Sequence, residues 1–271
     1  INSTKSIIVS FPDLRNPVSN VIIEGIQSAV AHRGYSVSCM EAQDNFWEYD
    51  IIMSRHNFTG IILAHSVSDI EVLEHHSGEF PTVMCSEYSI TEKVSVVAIN
   101  ASKAAQTAVE YLYSIGRNKI GLVNSSPQNN YAKHRQRGYE KAVADSNHGL
   151  RPYWVIHVSK IDFHMAVSAI TSLLSIDDRP DALFCVSDVF AAAAVKAAKN
   201  IGLKIPRDLA IVGFDNIDVS TMVVPSITTV KQPSFQLGQQ ACEELINIID
   251  HPNSISKKII LDTEIIIRES T

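Results

Sequence analysis

The run Leu209-Ala-Ile-Val-Gly-Phe-Asp215 is short, apolar and ends on a carboxylate. Such a run reads as a buried parallel strand, which delivers its last side chain to the carboxyl edge where open α/β sheets bind ligands. A carboxylate placed there can accept two hydrogen bonds from adjacent hydroxyls, the chemistry of ribose or hexose recognition. The same group could instead cap the following turn through Asn216 and Ile217. Arg135-x-x-Gly138-Tyr139 supplies a second candidate. An arginine in the first turns of a helix, after the polar loop Asn124–Asn130, can aim a fork of donors into a cleft or form a surface salt bridge. Phe163 follows an apolar strand and by composition reads as core.

Other chemistries find no support. The chain contains neither a G-x-x-x-x-G-K-[ST] loop nor a G-x-G-x-x-G turn after a strand, so phosphate cradling and dinucleotide binding lose their main signature. It has no G-x-S-x-G nucleophile elbow and no H-E-x-x-H. His75-His76, beside Glu74, reads as a solvated helix end rather than a metal site. The four cysteines are scattered, without a Cys-x-x-Cys pair, and suit a reducing cytoplasm. No catalytic residue, metal or cofactor is expected.

The elements that must position Asp215, Arg135 and Phe163 alternate along the chain. Strands at Ile7–Phe11, Tyr35–Met40, Gly60–Ala64, Thr82–Ser86 and Val94–Ile99 are separated by helical stretches at Val18–His32, Tyr49–Arg55 and Asp69–His75. The pattern restarts with helix Ala101–Ile115. Strands follow at Lys119–Asn124, Trp154–His157, Ala182–Val186 and Leu209–Phe214, with helices Tyr131–Ser146, His164–Leu174 and Val189–Gly202 between them. A late helix spans Phe235–Ile249, and Lys258–Arg268 reads as a closing hairpin or extended run. Alternation of this kind predicts an α/β fold with parallel sheets covered on both faces. Two such series, joined by extended segments, predict two Rossmann-like lobes with a cleft between them: residues 1–99 plus 233–260, and 100–232 plus 261–271.

With 271 residues, 45% of them hydrophobic and 19% charged, the chain can form two cores. The net charge of −6 and the absence of a dense basic run argue against this stretch gripping DNA by itself. Its apolar runs are too short to span a bilayer, and no export signal is visible.

Gly213-Phe-Asp215, followed by Pro225-Ser-Ile-Thr-Thr-Val-Lys-Gln-Pro233, resembles the signature of the lactose/galactose repressor family of bacterial transcription regulators. The likeness runs from Ile7 to Arg268 through Asn16-Pro17, Arg33-Gly34-Tyr35, Ala108–Gly116, Pro180–Asp188 and Gly202–Asp208. A narrower likeness, to the members that respond to cytidine, rests on Val83–Tyr88, Phe184–Val189, Gly213–Val219 and Glu264–Thr271. After Asn16-Pro17, where most members carry aromatic residues, Val18 and Ser19 stand instead, so one wall of the implied pocket lacks a stacking ring.

The resemblance implies a periplasmic-binding-protein-like fold and a cytoplasmic, non-enzymatic repressor that senses a nucleoside, cytidine first, or a sugar. It implies that Phe163 stacks on the base and that Asp215 and Arg135 hold the ribose. Asn129, Tyr131 and Glu87 would line the base end. Glu87 could accept a hydrogen bond from the exocyclic amine of cytosine, which disfavours uracil by about 1–3 kcal/mol. The resemblance further implies a homodimer, operator DNA held by a helix-turn-helix headpiece not seen in this stretch, and the cAMP receptor protein as a co-bound partner. Effector and DNA would be coupled by about 1–3 kcal/mol. A periplasmic solute-binding protein of the ribose-binding type is the alternative.

Overall fold

A computed structural model describes residues 5–43, 46–67, 69–86, 91–146 and 148–271. The chain divides into two compact units, Ile1–Ile99 with Pro233–Leu261, and Asn100–Gln232 with Asp262–Thr271.

In the first unit the strands are β1 (Lys5–Phe11), β2 (Tyr35–Glu41), β3 (Phe58–Leu63), β4 (Thr82–Cys85) and β5 (Ser95–Ile99). Helices α1 (Pro17–Val30), α2 (Phe46–His56) and α3 (Ile70–Glu79) connect the first four of them. Five helices and five strands of the second unit, counted among the described residues, follow before the chain returns. Central strands such as β3 and β4 are apolar and buried because helices cover both faces of a parallel sheet. The edge strand β2 instead has half-buried and exposed positions only. Beneath helices α2 and α3, buried Tyr49, Met53, Leu73, Ile61, Leu63 and Met84 form a continuous cluster.

The second unit begins with α4 (Ala101–Ser114), whose N-cap is Asn100, and continues with β6 (Ile120–Ser125) and α5 (Asn130–Asp145). Next come β7 (Val155–Val158), α6 (Phe163–Leu174), β8 (Ala182–Cys185), α7 (Asp188–Asn200) and β9 (Ala210–Asp215). The short helix α8 (Val219–Met222) precedes β10 (Thr228–Lys231). Helix α9 (Ser234–Asp250) and strand β11 (Lys258–Leu261) belong to the first unit, and β12 (Glu264–Ile266) to the second.

Among the described residues both sheets have six strands, in the orders β11-β5-β4-β3-β1-β2 and β12-β10-β9-β8-β6-β7. All pairings are parallel except β10 with β12. In each sheet the order turns back on itself after the first strand, between β1 and β3 and between β6 and β8. That reversal leaves a crevice at the carboxyl ends of the strands, the place where doubly wound sheets take ligands.

Two sequence expectations need correction. Of the two readings of Lys258–Arg268, the extended run holds and the hairpin does not. β11 pairs in parallel with β5, whereas β12 runs antiparallel to β10, so the two short strands belong to different sheets. Each completes an edge that its own unit leaves open. His75-His76 is a solvated helix end for His75 only. His76 is 1% exposed and its Nδ1 lies 2.5 Å from Asp50 Oδ1, because the helical turn that leaves His75 in water directs its neighbour under α2.

Candidate functional site

Strand β9 lies between β8 and β10, and all six of its residues are buried. Its last residue, Asp215, has φ of +110° and the next, Asn216, has φ of +58°. Two consecutive non-glycine residues with positive φ are costly, up to about 1–3 kcal/mol each. Such conformations persist only where surrounding contacts enforce them.

Asp188, at the start of α7, supplies much of that enforcement. Its Oδ2 accepts from the Ile217 amide at 2.9 Å and its Oδ1 from the Thr229 hydroxyl at 2.5 Å. The Asn216 amide donates to the same threonine oxygen at 3.4 Å. The turn after β9 is therefore capped by Asp188 and Thr229. Of the two roles open to Asp215 in the sequence, the cap falls to Asp188.

Freed from the turn, the Asp215 carboxylate accepts from Gln232 Nε2 at 2.9 Å and faces Arg135 Nη1 at 3.4 Å. A hydrogen bond from Ser187 adds to these. Arg135 reaches this point because α5 is fixed at two neighbouring positions. At Gly138, a Cβ would come within 2.1 Å of the Ser102 carbonyl oxygen, so only glycine lets α5 approach α4 this closely. Tyr139 then donates its hydroxyl to the Ile120 carbonyl at the start of β6. Three residues before Gly138, the Arg135 guanidinium stacks 3.6 Å from the Phe214 ring centre and 5.3 Å from that of Tyr131. Its Nη1 also donates to the Val186 carbonyl just beyond β8. Arg135 thus stands at the β6/β8 reversal.

The electrostatics separate the two acids. Burial pushes Asp215 up to about 6, opposed mainly by the Arg135 charge, so at neutral pH it is largely the ionised acceptor. Burial, and then the Asp215 charge, pushes Asp188 up to about 8. One buried guanidinium beside two buried acids favours a single negative charge, and that charge resides on the acid facing Arg135.

Two buried polar atoms of this group have no hydrogen-bond partner among the described residues, Arg135 Nε and Gln232 Oε1. A donor, an acceptor and a carboxylate, all desolvated, suit a neutral ligand rich in hydroxyl groups.

Asn129 and Tyr131 join this group. Asn129 Nδ2 donates to Ser125 Oγ and to the Tyr131 hydroxyl, both at 3.4 Å. Phe163 is the first residue of α6, after the N-cap Asp162, and its half-buried ring contacts His164. Val18 and Ser19 begin α1 in the first unit, both buried. The Val18 amide donates to the cap Asn16, and the Ser19 hydroxyl to the Asp13 carbonyl. Glu87 lies outside the described residues.

Sequence reasoning passed over Gln232 and Asp188. Gln232 stood inside the quoted run Pro225–Pro233, where a polar residue directly after an alternating strand was the available signal. Asp188 lies in the first turn of α7 directly after the N-cap Ser187, where local sequence offers no sign that it caps a turn elsewhere in the chain. Among the described residues no group of three His, Cys, Asp or Glu side chains could hold a metal, and no helix is long and apolar enough to cross a membrane.

Residues 109–271 match the periplasmic binding protein-like domain. The HTH-type transcriptional repressor CytR of Escherichia coli is 32% identical over 275 residues, covering 100% of this chain and 80% of that protein. The chain belongs to the LacI family of transcriptional repressors. Two solved structures agree in fold. An uncharacterized protein from Actinobacillus succinogenes superposes with a TM-score of 0.92 at 30% identity, over 99% of this chain and 100% of the other. A LacI family transcriptional regulator from Enterococcus faecium, with bound ribose, has a TM-score of 0.87 at 22% identity, over 98% of each chain. As the ligand-binding core of a LacI-family repressor, the chain has relatives that regulate transcription, and the periplasmic solute-carrier alternative is not favoured.

Proposed function

We propose that this LacI-family core senses a ribose-bearing nucleoside, cytidine first, without covalent chemistry, through hydroxyl recognition by Asp215 and Arg135. One observation carries the reading. A largely ionised carboxylate is buried beside a guanidinium donor and an amide acceptor that lack partners. Vicinal ribose hydroxyls would donate to Asp215 and Gln232 Oε1 while accepting from Arg135 Nε. The ribose held by the Enterococcus faecium relative supports the sugar half of this reading. Phe163 is proposed to stack on the base, with Asn129 and Tyr131 at the base end. Val18, Ser19 and Glu87 enter the proposal from sequence alone.

In the full repressor, operator DNA would be held by a helix-turn-helix headpiece, the type named for the Escherichia coli relative. The core would act as a cytoplasmic homodimer, with the cAMP receptor protein as a co-bound factor at promoters. Calorimetry with cytidine, uridine, adenosine, ribose and common hexoses tests the effector. Saturable binding of cytidine, weaker for uridine, is expected. Binding of a hexose and of no nucleoside would overturn the assignment.

A further inference from the structure

Beyond the residues expected to touch an effector, the turn after β9 is gripped from the far end of the chain. Arg268, two residues past β12, donates from Nη2 to Asn216 Oδ1 at 2.6 Å. Its Nη1 donates to the Ile227 carbonyl at 2.7 Å and to Ser220 Oγ at 3.2 Å. The arginine backbone is tied down as well, its amide donating to Thr228 Oγ1 at 2.8 Å. One guanidinium therefore ties the side chain of Asn216 to α8 and to the segment entering β10.

We propose that Arg268 is a positioning residue for the effector site, holding the Asp215–Asn216 pair in its positive-φ conformation so that the Asp215 carboxylate faces Arg135 and Gln232. This rests on the reading of Asp215 as the hydroxyl acceptor. Asp188 and Thr229 bind the backbone of the turn, and Arg268 binds the Asn216 side chain. Without that hydrogen bond, Asn216 has no side-chain partner among the described residues to hold it against relaxing to negative φ, and the peptide shared with Asp215 would rotate with it. A guanidinium suits the task because its planar fork spans an amide oxygen, a carbonyl and a hydroxyl at once.

The test uses Arg268→Met, Arg268→Lys and Asn216→Gly in this chain, and the double variant Arg268→Met/Asn216→Gly. Glycine adopts positive φ without a side-chain restraint. With cytidine and ribose as calorimetric probes, Arg268→Met should weaken whichever binds by about tenfold. In the Asn216→Gly background the same change should cost less than about twofold, because contacting residues are not additive. Arg268→Lys, which keeps one donor, should fall between. A second readout needs no ligand: the Asp215 carboxyl resonance, followed against pH, should titrate lower in Arg268→Met as the group swings toward water. Losses that simply multiply, or an Asp215 midpoint unmoved in both Arg268 variants, would overturn the proposal. If neither probe binds the unmodified chain, the nucleoside reading fails, while the Asp215 titration still decides the role of Arg268.

Discussion

Asp188 occupies the space that a side chain at Gly213 would fill, since a Cβ there would lie 2.2 Å from Asp188 Oδ1. The glycine of the Gly213-Phe214-Asp215 signature is thus required by an acid beside it in space and not by its own φ. Gly213→Ala should destabilise the second unit by about 1–3 kcal/mol, the usual effect of forcing atoms into a packed interior. Urea unfolding followed by tryptophan fluorescence measures this, since buried Trp154 belongs to the same unit.

Stability should fall as the solution becomes alkaline. Asp188 is pushed from an ordinary 3.8 to about 8, and Asp215 to about 6, so the folded chain holds protons that the unfolded chain releases. Their contribution is complete below about pH 3.8 and is lost as pH rises through 6 and then 8. Asp188→Asn keeps an acceptor for the Ile217 amide and cannot ionise. Between pH 6 and pH 9 the urea midpoint of this variant should decline less than that of the unmodified chain. Parallel declines would show that Asp188 does not carry the proton.

Asp215→Asn should weaken nucleoside binding at least tenfold while the protein stays folded, since one acceptor oxygen is replaced by a donor. Arg135→Lys should weaken binding to a similar degree. Lysine keeps the charge but loses both the flat stack on Phe214 and the Nε donor. Isothermal calorimetry with cytidine measures both, with circular dichroism to verify folding. Unchanged affinity in Asp215→Asn would remove that residue from the site.

Tyr49 organises a polar cluster inside the first unit. Its buried hydroxyl lies 2.8 Å from Ser10 Oγ and 3.0 Å from His65 Nε2, and accepts from the Gln43 amide at 2.9 Å. Burial lowers the His65 pKa, which favours the neutral ring in this setting. Tyr49→Phe preserves the packing but strips partners from three groups, and should cost about 1–3 kcal/mol. Thermal unfolding tests it, and effector affinity should change little.

The sequence by itself determined the alternation of strands and helices, and with it an α/β fold of two parallel sheets. Each element is written in the periodicity of a few neighbouring residues, so β9 and α5 were legible within a residue or so of their observed ends. It also placed Asp215 at a strand tip and Arg135 on an early helical turn, because those positions follow from local pattern alone. Tertiary structure decided which side chains meet. Asp215 and Arg135 are 80 positions apart, Asn216 and Arg268 52, and Asp188 and Thr229 41. It also decided that β12 joins the second sheet, that His76 is buried and that Asp188 caps the turn after β9. Those outcomes depend on packing between elements distant in the chain, where no short stretch of sequence contains both partners of a contact.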